Sequence, residues 1–336
     1  MNLSPQHASY CADSTDSTGD RIKKSPRWDN DEGVASTIGT IMSLLVFLTA
    51  FGMFTNQFVP VWMSDNESSH MSTVIQQFTT LKSSVDIGIS YNSNSRIAPT
   101  PVFVPITLSS AGIPVFAAPT AGILQYIPEA FNQRPMFNIT YSYISSTGTP
   151  NTLSPSNDGH SGGSLDLYCP NRYFVEQHLV YESGAVILNQ SDGEFIIAGP
   201  QFSVRNIGTA SSPQIVVMLT QISLQGLNKI IGGTGSKGVT ADLLYADTTA
   251  YENSAGSQVN ITIISNHGYA WYQYFLSSLN GTADMTKDDG FTLTKALYSF
   301  PNKLSNYYRV TLLIDNVHIL DYTHATVKLS VGELGI

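Results

Sequence analysis

The feature that most constrains this chain is a run from Val34 to Val61 that contains no charged residue. A helix of about 20 apolar residues spans a bilayer, and an uncharged run of about 18 or more is typical of such a span. We therefore predict a transmembrane helix over residues 34–61. Two alternatives stay open: a buried core helix, and a secretory signal cut near Ala50-Phe51-Gly52, although the apolar run continues past that weak site.

The charges on either side of the run predict its orientation. The basic residues that precede it are Arg21, Lys23, Lys24 and Arg27, whereas Asp65 and Glu67 follow it and the next base is Lys82. Because Lys and Arg are retained on the cytoplasmic side, we expect a single-pass protein with its N-terminus in the cytoplasm and its C-terminal domain outside the cell. Residues 1–33 are polar and without periodicity, which predicts a disordered leader.

A second helical pattern follows the apolar run. Its apolar residues recur at spacings of three and four between polar ones, and they are Met71, Val74, Phe78, Leu81 and Val85. This predicts an amphipathic stem over residues 62–86, whose apolar seam packs on a globular body. Pro60 lies where the two halves meet, and since proline removes a helical hydrogen bond we expect a kink or a break there.

Residues 87–336 have the pattern of a β-rich body. Phe137–Tyr143 and Val259–Ile264 alternate apolar and polar residues, and Ser191-Asp192-Gly193 is typical of a hairpin turn. Similar runs are Pro101–Leu108, Leu165–Tyr168, Gly184–Leu188, Phe195–Ala198, Gln214–Leu224 and Arg309–Ile314. Regularly spaced strands predict an extracellular β-sandwich. We also expect one helix, Tyr269–Leu279, capped by Asn280-Gly281, and an exposed loop over Asn151–Gly163.

Composition limits the partners and the disulfides. Only 12% of residues are charged and the net charge is −9, which argues against a nucleic-acid partner. Cys11 and Cys169 fall on opposite sides of the predicted membrane, so they cannot form an intrachain disulfide. We expect Cys169 to be buried, the alternative being a pair with another chain.

Sequons for N-glycosylation follow the membrane segment, on the side where glycan transfer occurs. Their asparagines are Asn66, Asn138, Asn189, Asn260 and Asn280. The matching tripeptide at Asn2 shows how readily such a pattern arises by chance. We expect a glycan on at least one of the five asparagines. The alternative is that they are ordinary solvent-facing asparagines.

Patterns that carry chemistry are weak, and we expect neither an enzyme nor a cofactor. Asp315, His318, Asp321 and His324 recur every third residue, which on a helix would place them on one face as metal ligands. Their flanks predict strands, however, where this spacing sends successive side chains to opposite faces. Gly232–Gly238 lacks the Lys-Ser/Thr of a phosphate loop, and Asp284, Asp288, Asp289 and Gly290 lack the carboxylate spacing of a calcium loop. The histidines His160, His178 and His267 have no motif partner.

A family resemblance rests on short motifs. The charged leader, Gly33, and the helix opening Val-Ala-Ser-Thr-Ile-Gly resemble prepilins of the archaeal type IV pilin and archaellin class. In the body, Asn171-Arg172-Tyr173, the run Tyr181–Ile187, Gln190 and Asp192-Gly193 resemble an uncharacterised archaeal family of pilin-like surface proteins. The resemblance implies a class III signal peptide cut between Gly33 and Val34 by a prepilin peptidase, with the helix retained.

These features together predict a non-enzymatic, membrane-anchored, pilin-like glycoprotein of the cell surface. It would act as a subunit or minor component of a filament that assembles through its N-terminal helix. The alternative is a monomeric anchored module for adhesion or glycan binding. The aromatic residues that could line a sugar site are Trp271, Tyr272, Tyr274 and Phe275, although aromatics at helical spacing are more often core.

Overall fold

The computed structural model describes residues 31–95, 99–128, 136–144, 148–153, 162–209, 214–282, 285–287, 290–299 and 307–332. The chain divides into two compact units, Met1–Phe54 and Thr55–Ile336. Residues 1–30, with Cys11 and most of the predicted leader, lie outside the described residues. The fold is mainly β, with one long apolar N-terminal helix and largely antiparallel sheets.

Helix α1 runs from Asp31 to Ser95 and includes Pro60 in its interior. The break expected at Pro60 is therefore wrong. A proline removes one backbone hydrogen bond, and here Val59 and Met63 on either side of it are buried. The helix also continues past residue 86, where the predicted stem ends, because Ile89 extends the buried seam.

Among the described residues of the body, fifteen strands and a second helix are present. The strands are β1 Val102–Thr107, β2 Gly122–Ile127, β3 Met136–Ile144, β4 Pro150–Leu153, β5 Ser164–Cys169, β6 Gln177–Glu182, β7 Ala185–Gln190, β8 Gly193–Ala198, β9 Phe202–Asn206, β10 Ile215–Gly226, β11 Lys229–Gly233, β12 Ser236–Ser265, β13 Thr286–Lys287, β14 Gly290–Tyr298 and β15 Tyr307–Val331. Helix α2, Gly268–Thr282, lies between β12 and β13. Each run predicted to be a strand overlaps one of these strands.

Two long strands organise the larger sheet. Strands β12 and β15, of 30 and 25 residues, pair antiparallel along most of their length. Because they outrun their neighbours, different strands pair with their two ends. Strands β1 and β10 pair with one end, and β3 and β14 with the other.

The smaller sheet has the order β11-β2-β5-β6-β7-β8, and every pair in it is antiparallel. The hairpin predicted at Ser191–Gly193 is confirmed, since β7 ends at Gln190 and β8 begins at Gly193. Strands β6 and β7 are joined by Ser183 and Gly184, with φ of 48° and 78°. Two positive φ values are the requirement of the tight hairpin turn whose twist matches that of the strands.

Two hydrophobic cores lie on the two faces of the β6–β7 hairpin. Tyr181 and Val186 belong to the first core, together with the seam of α1. Val180 and Ile187 belong to the second core, which includes Trp271 of α2. Since successive strand residues point to opposite faces, a hairpin that is buried on both sides contributes to both cores.

Two local predictions are each wrong at one end. Helix α2 continues to Thr282 through the expected cap at Asn280-Gly281, because Leu279 is buried and anchors its last turn. The expected loop Asn151–Gly163 instead begins within strand β4, which pairs with β3, and ends close to β5. Residues 154–161 of that loop lie outside the described residues.

Candidate functional site

The apolar part of α1 is exposed. Ile41 is 61% exposed, Val46 65% and Phe47 63%, and none of the most apolar 18-residue window is buried. Its mean hydropathy of 1.9 makes this helix long and apolar enough to cross a membrane. A core helix is mostly buried, so that alternative is wrong. A signal sequence near the N-terminus also meets these criteria of length and composition, so that alternative stays open.

The predicted processing site lies at the start of α1. Gly33 and Val34 follow the first helical residue, Asp31, within the first turn. Cleavage between them stays a prediction, because only the backbone path of these residues is described.

Within the second unit, the helix becomes buried at Val59, which is 6% exposed, and Met63, which is 1% exposed. From there the predicted seam is confirmed. Met71, Val74, Phe78, Leu81 and Val85 are all buried in the first core. The stem thus packs its apolar side on the sheets, as its 3,4 spacing predicts.

A buried carboxylate holds the N-terminal part of this stem in place. Glu67 is fully buried, and its Oε2 accepts the backbone amides of Tyr173 and Phe174, each at 2.8 Å. Its Oε1 accepts the amide of Arg172 at 3.1 Å and the hydroxyl of Thr120 at 3.0 Å. Four donors satisfy both oxygens, which offsets the cost of removing the charge from water.

The amides that bind Glu67 belong to the Asn171-Arg172-Tyr173 motif of the sequence. Asn171 Nδ2 donates to the carbonyl of Val175 at 2.8 Å and holds the loop in the required shape. Sequence reasoning treated Glu67 only as a charge beyond the membrane. Its spacing of four from both Met63 and Met71 places it on the seam, and that signal could have revealed it.

Further along the stem, polar contacts join α1 to β1. Thr107 donates its amide to Gln77 Oε1 at 2.9 Å and accepts Gln77 Nε2 at its hydroxyl at 3.0 Å. His70 Nε2 lies 2.9 Å from the Thr107 carbonyl, and burial lowers the pKa of this imidazole. Lys82 pairs with Asp86 one turn later, where burial raises the pKa of the Asp86 carboxyl despite the lysine.

A polar cluster surrounds the start of α2. Glu182 is buried, and its Oε1 accepts the indole of Trp271 at 2.7 Å and the hydroxyl of Ser265 at 2.6 Å. Glu194 accepts the amides of Tyr269 at 2.7 Å and Ala270 at 3.1 Å, as an acidic group at a helix N-terminus does. Its other oxygen lies 3.1 Å from His267 Nδ1.

The cluster perturbs its titrating groups. Burial lowers the pKa of His267, but Glu194, Glu182 and Asp166 outweigh it, so the pKa lies above its ordinary value. Burial by itself would raise the pKa of Glu194, but His267 and the amides of Tyr269 and Ala270 outweigh burial. The pKa of Glu194 therefore lies below its ordinary value. No local motif could reveal the partner of His267, because Glu194 is 73 residues away.

This arrangement satisfies polar groups around the start of α2. The adjoining cavity, lined by Gln125, Asp166, Asn266 and Tyr307 among others, has a volume of about 40 Å³, enough for a few waters only. Ser265 donates to Glu182, and it contacts His267 only by accepting that residue's backbone amide at 3.0 Å. A hydroxyl that does not bond an imidazole lacks the base that activates a serine nucleophile.

The segment that carries Asp315, His318, Asp321 and His324 lies in strand β15, as its flanks predict. Gln258 Nε2 donates to Asp315 at 2.6 Å, and His318 Nδ1 lies 2.9 Å from the Asn316 carbonyl. In the described part of the chain, no three His, Cys, Asp or Glu residues are grouped as metal ligands. Asp284, Asp288 and Asp289 fall outside it.

The sequons differ in accessibility. Asn138 and Asn280 are exposed, whereas Asn66, Asn189 and Asn260 are half-buried. Asn66 Nδ2 also donates to the Ala111 carbonyl at 3.2 Å. Asn138 and Asn260 lie on neighbouring strands, where each faces the threonine of the other sequon. Glycosylation at all of these sites stays a prediction.

Two further side-chain predictions have outcomes. Cys169 is a buried free thiol, as expected, and burial raises its pKa to about 12. Trp271 and Phe275 are buried in the second core and cannot line a sugar site, whereas Tyr272 and Tyr274 are half-buried against that core. The stripe faces inward because α2 packs on the β-sheet through its aromatic side.

Comparisons with known protein families, with curated proteins and with solved structures find no match.

Proposed function

We propose that this chain is a non-enzymatic, pilin-like cell-surface protein, held in the membrane by residues 34–61 and carrying an extracellular β-sandwich. The observation that carries the proposal is the exposure of an uncharged helix surface. Leaving many side chains such as Leu44, Val46 and Phe47 in water is unfavourable by about 1.5–3 kcal/mol each, whereas lipid tails remove this cost.

The attachment of the helix to the body supports an anchor. Glu67 and the buried seam hold the C-terminal part of α1 to both sheets. The body therefore stays joined to the apolar run as long as the chain between them is not cut. Cleavage of a secretory signal at residues 50–52 would remove only the part of α1 before the cut. The seam would stay on the body, and the body would be released from the membrane.

A filament follows if copies pack through the same apolar surface after processing. In this proposal a prepilin peptidase cuts between Gly33 and Val34, and the apolar surface of residues 34–61 packs against that of neighbouring copies. Glycans at exposed Asn138 or Asn280 would then lie on the outer surface.

Mass spectrometry of the mature protein tests this route directly. An N-terminus at Val34 supports processing, whereas intact Met1 excludes filament entry by cleavage. A body recovered from the medium, beginning after Gly52, would overturn the anchor itself. Protease added to intact cells should remove the body if it lies outside, and a protected body contradicts the orientation.

A surface groove favours a second candidate, an anchored adhesion module. The groove has a volume of about 640 Å³ and is lined by hydroxyl, amide and carboxyl groups beside apolar ones: Gln201, Phe202, Ser203, Met218, Thr220, Thr248, Asp321 and Thr323 are among them. Hydroxyl-rich walls beside an aromatic ring suit an extended polar ligand such as a glycan.

Mechanical shear separates the two candidates. Filaments leave cells as pelletable polymers, whereas a single-helix module needs detergent for release. Glycan binding that is lost in Asp321→Asn but kept in Asp315→Asn, whose carboxylate lies outside the groove lining, would favour the adhesion module.

A further inference from the structure

An exposed apolar turn lies between β1 and β2. The turn, Ile113–Ala117, is closed by Phe116 N donating to the Ile113 carbonyl at 3.1 Å and Ala117 N donating to the same oxygen at 2.9 Å. Gly112 permits this closure, since a Cβ there would lie 2.6 Å from the Ala117 carbonyl. No Asp, Glu, Lys or Arg occurs between residues 99 and 128.

The tip of the turn carries a residue that local geometry disfavours. Val115 has φ of 72° and follows Pro114, which is the arrangement of a type II turn. Glycine or asparagine usually occupies that position, because a β-branched side chain is strained there. Val115 is nevertheless 100% exposed and Phe116 is 39% exposed. Neither packing nor turn chemistry explains the valine at position 115.

The contacts of β1 with α1 show which end of the body the turn occupies. Pro99 and Thr100 share a small cavity with Val85 and Gly88. Thr107 then bonds His70 and Gln77, and Ala111 accepts a hydrogen bond from Asn66. The chain therefore moves along α1 toward lower residue numbers as it approaches the turn.

The return strand confirms this position. Thr120 donates to Glu67, so the turn both leaves and rejoins α1 at residues 66–67. Asn66 lies about 6 Å along the helix axis from Trp62, at 1.5 Å per residue. Four extended residues span up to about 14 Å, so Val115 can reach the level of Trp62 and Phe58.

Those two helix residues mark the end of the uncharged run. Phe58 is 50% exposed, Val61 58% and Trp62 44%. Tryptophan is enriched at the boundary between lipid tails and headgroups. The exposed apolar turn can thus reach the level of the predicted membrane boundary.

We infer that the turn Ile113–Ala117 inserts Val115 and Phe116 into the lipid bilayer beside the anchor. This inference rests on the proposed membrane anchoring. A single helix leaves a body free to tilt, whereas a second apolar contact restricts its angle to the membrane. The occupant is the bilayer rather than a second copy, because the turn can reach the level of the exposed apolar residues Phe58 and Trp62 at the end of the proposed span.

Site-specific fluorescence in the full-length protein tests the inference. In a Cys11→Ser background, Cys169 is buried with a raised thiol pKa and reacts poorly, so single labels can be placed elsewhere. An environment-sensitive dye is attached at Val115→Cys, with Phe116→Cys as a second position. The protein is reconstituted in phosphatidylcholine vesicles with and without nitroxide-labelled lipid.

Two matched positions make the outcomes distinct. Phe47→Cys reports on the anchor. Leu227→Cys is an exposed apolar control, 82% exposed, beyond the β2 end where Tyr126 pairs with Lys229, away from the turn. We expect a blue shift and nitroxide quenching at residues 115 and 116, as at 47, and neither at 227.

Each other result counts against the inference. Quenching at 47, with 115 and 116 behaving like 227, overturns insertion of the turn while the anchor stands. A blue shift at 115 without lipid quenching shows a protein contact, as in a second copy, and also overturns it. An unquenched label at 47 removes the anchor, and with it both proposals.

Discussion

The Glu67 carboxylate accepts the backbone amide of Tyr173 at 2.8 Å across 106 residues of sequence. This contact joins a helix that begins in an apolar run to a loop of the smaller sheet. Because three successive amides converge on one buried side chain, the stem has one defined position along the body. The C-terminal part of α1 is therefore held to the β-rich body by a satisfied polar contact and an apolar seam.

Replacing Glu67 by alanine should weaken this attachment. Three backbone amides and the Thr120 hydroxyl lose their buried acceptor, and each polar group that is left unsatisfied away from water costs about 1–3 kcal/mol. We expect the free energy of unfolding to fall by at least about 3 kcal/mol, measured by denaturant titration in detergent micelles. The matched control, exposed Glu252→Ala, should change it little. Equal losses in both variants would contradict a specific role for Glu67.

The seam should respond differently from the apolar run on the same helix. Phe78 is fully buried, so Phe78→Ala should cost about 3–5 kcal/mol of unfolding free energy. Phe47 is 63% exposed, and Phe47→Ala should leave the unfolding of the body unchanged. A large loss in the Phe47 variant would show that its ring packs on the body, against the structure.

His267 should make stability fall on the alkaline side. Its folded pKa lies above the ordinary 6.5 because carboxylates outweigh burial, so its contribution is complete below pH 6.5 and is lost as the pH rises through the folded pKa. The slope reaches at most about 1.4 kcal/mol per pH unit for one proton. His267→Gln should flatten this limb of the unfolding free energy against pH. An unchanged limb would contradict the ion pair with Glu194.

His70 should act in the opposite direction. Burial lowers its pKa below 6.5, although the Thr107 carbonyl and Glu67 oppose the shift. Its contribution is therefore complete above pH 6.5 and is lost as the pH falls toward the folded value. His70→Gln, which can still donate to Thr107, should flatten the acid limb and leave the alkaline limb intact. Each histidine variant is the control for the other.

Residue patterns with short periods predicted much of this fold. The spacing of Met71, Val74 and Phe78 predicted the buried seam, and alternation in Phe137–Tyr143 predicted β3, because helix and strand periods repeat within a few residues. Pro60 misled the helix prediction, since one missing hydrogen bond is outweighed by burial on either side of it. The cap at Asn280 failed for the same reason, with Leu279 anchoring the turn.

The sequence by itself determined which segments are apolar, which are amphipathic and which alternate, since these depend on neighbouring side chains. Only the tertiary structure decided that Glu67 binds the amides of residues 172–174, that His267 faces Glu194, and that the Ile113–Ala117 turn lies beside Asn66. Such contacts join residues tens of positions apart or more, and their energy depends on burial and geometry that no local pattern contains.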